Sequence, residues 1–163
     1  MKDKFRYKTW ANREILESLG RVDPTSNPDK FKLAIRLLNH THVIDKIFFA
    51  HLVGDQHAYT ATNTVETPTV QELKDRIETS DLQLERYAAN LPKEQLSERI
   101  SFRFTDGDLG SMTREEILFH LLAHGAYHRG NVGMLLSDCD VDRPKDTFTR
   151  FLHQTDPTRR TQP

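Results

Sequence analysis

Between Val70 and Leu91 the chain places Val70, Leu73, Ile77, Ser80, Leu84, Tyr87 and Leu91 at alternating steps of three and four residues. A strand repeats every two residues, so this period belongs to a helix that buries one stripe against other helices. Thr69 and Glu72 stand at its start as a capping box, in which a hydroxyl and a carboxylate satisfy helix-end amides reciprocally. Three more segments carry helical spacing. Roughly 3–20 repeats Tyr7, Ala11, Ile15 and Leu19 and stops at Gly20. Roughly 29–53 repeats Leu33, Leu37, Ile44 and Ile47, begins at Asn27-Pro28-Asp29 and ends at Gly54. Roughly 113–137 opens on a second capping box, Thr113 with Glu116. Pro144 opens a short helical piece running to about Leu152, and 156–163 reads as a disordered tail. Ahead of the fourth helix, Ile100, Phe102 and Phe104 alternate with polar residues before Asp106-Gly107, the pattern of a small hairpin. Residues 55–68, polar and threonine-rich, read as a connection within one domain. The expected fold is all-α: an antiparallel four-helix bundle over 1–155, with a short extra C-terminal helix and a hairpin before the fourth helix.

A length of 163 residues suits one domain with a real core. The chain has 23 basic and 24 acidic side chains and no basic stripe, which argues against nucleic acid as a partner. No apolar run approaches the roughly 18 residues of a bilayer span, and the first residues lack the apolar core of a secretory signal. No membrane partner is expected. The lone Cys139 excludes an internal disulfide framework and a multi-cysteine zinc site, and makes a reducing cytosol the expected compartment. Flanked by Asp138 and Asp140, it reads as non-catalytic.

Histidine carries the functional signal. Seven of eight histidines fall within 40–57 and 120–128. At about 100° per residue, His120 and His128 lie within about 40° of His124, on the stripe that also holds Ile117, Asn131 and Leu135. On the second helix Leu33, Ile44, Ile47 and His51 lie within about 40° of His40, so His40 is expected to point inward. His42, rotated by about 200°, is expected to face solvent, and Asp45, at about 140°, to sit on the surface or in an inter-helix salt bridge. Any one inward imidazole can be an ordinary core residue with a hydrogen-bonded neighbour. Several buried together without partners would cost about 1–3 kcal/mol each, and one divalent cation would satisfy them at once. The remaining candidates read structurally. His51 belongs to the core or the mouth of the site, and His57 and His153 to the surface. Glu115 and Glu116 cap the fourth helix, and no HExxH motif supplies a base. Arg129 is expected to pair with an acid on the first or second helix. Gly130, costly inside a helix, implies close packing of a neighbouring helix. Trp10 and Asn12 serve packing and inter-helix hydrogen bonding.

The stretches Trp10-Ala11-Asn12-Arg13, Leu38-Asn39-His40 with Asp45-Lys46-Ile47-Phe48, and His120 through Gly130 with its His-Arg-Gly end resemble the DinB/YfiT-like superfamily. The terminal piece with Pro144, Asp146 and Phe151-Leu152 is similar too, so the resemblance spans essentially the whole chain. It implies a four-helix bundle holding one divalent metal through three histidines, which map onto His40, His124 and His128. The chain departs from the family pattern at Tyr127, where histidine is usual, at Asn131, where glutamine is usual, and at Phe48, where tryptophan is usual. His120, Tyr127 and Asn131 are then the groups that could carry a proton or hydrogen-bond a ligand on the metal. Three neutral imidazoles leave an open coordination position and favour Zn²⁺ or Ni²⁺ first, then Fe²⁺ or Cu²⁺, over Mg²⁺ or Ca²⁺. Water there would have its pKa lowered towards about 7, and a thiol would become a nucleophilic thiolate. The resemblance therefore implies a metal-dependent enzyme that transfers a small-molecule thiol to an electrophile, or hydrolyses with water. The alternative is a metal-binding stress-response protein without turnover. Exposed apolar helix faces would suit a homodimer.

Overall fold

In the computed structural model, which describes residues 1–160, the chain forms α1 (Lys2–Leu19), α2 (Pro28–Val53), α3 (Val70–Asn90), β1 (Arg99–Arg103), β2 (Leu109–Thr113), α4 (Arg114–Ser137) and α5 (Phe148–Thr155), with 3-10 turns at Lys93–Ser97 and Pro157–Arg159. Both capping boxes form. Thr69 and Thr113 each accept an amide from the residue three positions on, and Glu72 and Glu116 each accept the cap residue's own amide. Gly54 ends α2 in the left-handed conformation, where its missing Cβ removes the steric penalty. The hairpin pairs Arg99 with Thr113 through Arg103 with Leu109. A Cβ on Gly110 would come within 2.7 Å of the Phe102 and Phe104 rings, so only glycine lets those aromatics cross the ladder.

The mostly helical chain packs α1 against α3 and α4, and α2 against α3 and α4, so the four long helices follow one another around the core as α1, α3, α2, α4. Their directions depart from the all-antiparallel expectation. His42 meets Ser80 while Lys46 meets Gln83, so α2 and α3 run parallel. Asn12 meets Arg129 four residues beyond the approach of Lys8 to Gly125, so α1 and α4 run parallel. The pairs α1 with α3 and α2 with α4 are antiparallel. The physical reason lies in the connection 54–69. It does not turn back on the spot; it climbs along α2, with Thr62, Asn63 and Thr64 beside His40, Asn39 and Arg36. A 26-residue helix is about 39 Å tall, and about a dozen extended residues cover that height.

The core has two apolar halves. Ile15, Leu16, Leu19, Ala34, Leu38, Leu73, Ile77, Val132 and Leu136 fill one. Phe5, Ile44, Phe48, Leu52, Leu84, Phe102, Ile117, Leu118 and Leu121 fill the other. Between them lies a buried polar layer. Lys8 Nζ donates to Asp45 Oδ2 and to Asp81 Oδ1, each at 2.6 Å, and Asn12 Nδ2 donates to Asp81 Oδ2 at 2.8 Å. Burial opposes the charge on Lys8, yet Asp45 and Asp81 outweigh it and hold its pKa above the ordinary lysine value. Burial raises the Asp45 carboxyl to about 6, against the pull of Lys8.

Several expectations about the second helix change. α2 is wrapped by α3, α4 and its own returning connection, so its buried residues are not confined to one stripe. His42, expected in solvent, is 7% exposed. Its Nδ1 lies 3.1 Å from Ser80 Oγ, whose own proton goes to the Ile77 carbonyl. Asp45 is the inter-helix salt-bridge partner, fully inside, and Leu33 is 49% exposed rather than core. The last helix runs Phe148–Thr155 rather than from Pro144 to about Leu152, because the side chain that caps it is Thr147, which accepts the Arg150 amide. In the expected disordered tail, Asp156 caps the turn Pro157–Arg159, and 161–163 lie outside the described residues. Among the described residues no helix is long and apolar enough to cross a membrane.

Lys8→Ala leaves two buried carboxylates without their cation and is expected to cost about 3–5 kcal/mol in urea unfolding at pH 7. Burial first, then Lys46, Arg76 and Lys8, pushes the His42 pKa down to about 4, below the ordinary 6.5. Between those values the unfolded chain binds a proton that the folded chain does not, so folding weakens as pH falls from 6.5 to 4. His42→Gln keeps a donor for Ser80 and removes that proton. The loss of stability between pH 7 and pH 4 is expected to be about 3 kcal/mol smaller in His42→Gln than in the unsubstituted chain.

Candidate metal centre

The buried face of α4 is made by Ile117, Leu118, Leu121, Gly125, Arg129, Val132, Gly133 and Leu136. Its middle lies about 100° around the helix from His124. The histidines therefore flank the core stripe rather than share it. His120, His124 and His128 are half-buried on the side of α4 that meets α2, where His40 is also half-buried.

His40 Nδ1 lies 2.7 Å from the Thr62 carbonyl oxygen. A carbonyl can only accept, so Nδ1 carries the proton and Nε2 keeps its lone pair. That Nε2 lies 3.1 Å from His124 Nε2. The ring centroids are 4.9 Å apart for His40 with His124, 4.9 Å for His40 with His128 and 4.5 Å for His124 with His128. One nitrogen from each ring lies within 4.8 Å of the other two. Burial first, then the neighbouring His128, His40, His120 and Lys8, drives the His124 pKa down to about 3. Burial, then His40, lowers His128. Both are neutral at pH 7, the state in which imidazole ligates metals. His128 Nδ1 is closed to solvent and has no hydrogen-bond partner among the described residues. Neutral nitrogen donors at this spacing, one of them carrying an orphaned buried atom, fit a transition-metal ion. The three-histidine group could bind a metal ion.

The connection 54–69 holds His40 in place. Buried Asn39 donates to Asn63 Oδ1 and Thr64 Oγ1, Asn63 donates back to the Arg36 carbonyl, and Arg36 donates to the Thr64 carbonyl. These clamps bring Thr62 to His40. A polar, threonine-rich stretch gives no sequence signal for that role.

The other candidates fall as follows. His120 stacks on His124 with centroids 5.3 Å apart and tilts against Phe48 at 5.0 Å, and burial lowers its pKa. Tyr127 is 67% exposed, with its ring edge-on to His128 at 5.1 Å. Asn131 is exposed, and among the described residues no hydrogen bond links it to the three imidazoles. Glu116 serves the cap, and Glu115 is exposed. His153 is exposed as expected, whereas His57 is half-buried against His51. His51 stacks on Phe102, in the half of the core with Phe5 and Leu121, and Cys139 packs against the half with Ile15 and Leu136. Trp10 packs on Phe151.

Arg129 pairs with an acid, but one beyond α4. Its Nε donates to Asp146 Oδ2 at 2.7 Å and its Nη1 to Asn12 Oδ1 at 3.1 Å. Tyr7 also donates its hydroxyl to Asp146. Burial and then Asp146 raise the Tyr7 pKa to about 12. The irregular segment before α5 carries the acid into reach, which helix spacing could not reveal. The close approach expected at Gly130 occurs instead at Gly125, where a Cβ would meet Arg129 Nη1 at 3.1 Å and Lys8 Cε at 3.7 Å. Gly130 is exposed, with nothing within 4 Å of its would-be Cβ.

The class of protein these observations define is a helical one with a three-histidine group able to take a metal ion. The DinB family model matches residues 1–161, and the chain belongs to that family. It is 28% identical to "Protein DinB" of Bacillus subtilis (strain 168), in an alignment covering 93% of this chain and 92% of that protein. No solved structure matches it.

Gly130→Ala is expected to raise stability by about 0.5–1 kcal/mol in urea unfolding, because alanine lowers the entropy lost on folding and meets no neighbour.

Proposed function

We propose that this chain is a four-helix-bundle metalloenzyme in which His40, His124 and His128 hold one divalent transition-metal ion, Zn²⁺ or Ni²⁺ ahead of Fe²⁺ or Cu²⁺. Its reaction is transfer of a small-molecule thiol to an electrophile, with hydrolysis by water as the neighbouring chemistry. The observation that carries this reading is the convergence of three imidazole nitrogens to within 4.8 Å, although His40 on α2 stands 84 positions before His124 on α4. When bound, the ion supplies Lewis-acid activation of a thiol or of water near neutral pH.

The chain's own residues do the rest. The Thr62 carbonyl fixes the His40 tautomer so that Nε2 presents its lone pair. Burial keeps His124 and His128 unprotonated at neutral pH. Three protein ligands rather than four leave room for a substrate atom, and the half-exposed rings leave the site open to one side. Phe48 packs on His120, which stacks on His124, so these two rings wall that side of the site. Arg129, bonded to Asp146 and Asn12, anchors α4 one residue beyond His128 and so positions that ring.

Elemental analysis of protein purified without added chelator is expected to find one tightly held equivalent of transition metal per chain, and His124→Ala is expected to lose it. Full occupancy in His124→Ala would remove the ligand assignment. A panel of cellular thiols assayed with an alkylating electrophile then tests the chemistry. Turnover that disappears in His124→Ala supports the enzyme. Metal without turnover for any thiol, or in hydrolysis, leaves a metal-binding stress-response protein.

A further inference from the structure

A second pair of imidazoles lies at the C-terminal end of α2, about three turns beyond His40. His51 stands in the last turn of the helix, and His57 follows in the connection beyond the left-handed Gly54. Their ring centroids are 5.1 Å apart and their planes are at 69°. His51 Nε2 and His57 Nδ1 are both closed to solvent, and neither has a hydrogen-bond partner among the described residues. Each unmatched nitrogen forfeits the hydrogen bond it would make in water. No hydrogen bond within the described residues matches either atom, and an ion seated between the two half-exposed rings would match both. The spacing suits one. With metal–nitrogen bonds of about 2.0–2.1 Å and a tetrahedral angle, two rings on one ion have centroids about 5.2 Å apart. The three rings of the centre on α2 and α4 show 4.5–4.9 Å.

We propose that His51 Nε2 and His57 Nδ1 form a second, weaker site for a divalent transition-metal ion, with the remaining coordination positions left to solvent or an added small ligand. Neutral nitrogen donors select Zn²⁺, Ni²⁺ or Cu²⁺ over Mg²⁺ and Ca²⁺. Burial, and then His57, lowers the His51 pKa and favours the ligating form. Phe102 stacks on His51 at 4.8 Å and fixes its plane, as a support for a ligand should. Two protein ligands in place of three make the site the weaker of the two. Phe48 touches both His51 and His120, so its ring and that of His120 stand between the two sites, which share a wall and no ligand.

His51 and His57 take no part in the three-histidine group, so binding at the two places can be read separately. The full chain, stripped of metal, is titrated with Zn²⁺ by calorimetry and by equilibrium dialysis with elemental analysis. The unsubstituted chain is expected to take a tight equivalent and then a second, at least tenfold weaker. His57→Ala, in a connection where truncation spares the helices, and His51→Ala are each expected to keep the tight equivalent and lose the weak one. His124→Ala is expected to do the reverse. Saturation of the unsubstituted chain at one equivalent would overturn the proposal, as would a second equivalent that persists in His57→Ala. Should His51→Ala fail to fold, His57→Ala alone decides.

Discussion

Lys8 carries a full positive charge where solvent does not reach it, and Asp45 and Asp81, each 2.6 Å away, are what make that charge tolerable. A lone ammonium there would cost several kcal/mol. The three groups come from α1, α2 and α3, so the ion layer can form only when those helices are at one relative height. Asn12 and Arg129 extend the layer to α4, and Asp146 extends it to the segment before α5. An apolar core tolerates sliding by a turn, because leucine against isoleucine is much the same at either register. A buried charge with two fixed partners does not. The layer therefore sets the height at which every helix meets its neighbours.

The imidazole centre inherits its geometry from that register. Gly125, beside His124, lets α4 approach α1 closely enough for its backbone to pass over the Lys8 stem. With α4 held there and α2 tied through Asp45, His40 falls opposite His124 and His128. The parallel course of α2 and α3 adds the last element. Parallel neighbours need a connection that returns the height of the helix, and the returning strand brings the Thr62 carbonyl to His40 Nδ1. Topology and the His40 tautomer are thus linked: a tight turn after α2 would leave His40 without its acceptor.

Much of this is legible in the sequence alone. The three-four spacing of Val70 to Leu91, the two capping boxes, Gly54 and Asp106-Gly107 are local signals, and they marked helices and hairpin to within a residue or two. The convergence of His40, His124 and His128 was legible through the resemblance of their surrounding motifs, not through periodicity. Helical angles alone put His124 on the core stripe, and it flanks that stripe. They put His42 in solvent, and it is buried. The angles assume one buried face per helix, and α2 has neighbours on several sides. Lys8 gave no signal as a buried residue, because a lysine is buried only when partners from other helices meet it. Asp146 likewise looked like a loop acid until Arg129 and Tyr7 reached it.

The amino-acid sequence by itself determined where the four long helices begin and end, which residue types could ligate a metal, and the family to which the chain belongs. These depend on contacts within a few residues or on motifs read in order along the chain. Tertiary structure alone decided which helices run parallel, which charges lie inside, which glycine takes the close approach, and which backbone carbonyl orients His40. Each of those joins groups tens of residues apart, and whether such groups meet is settled by how whole helices pack, which no short stretch of chain encodes.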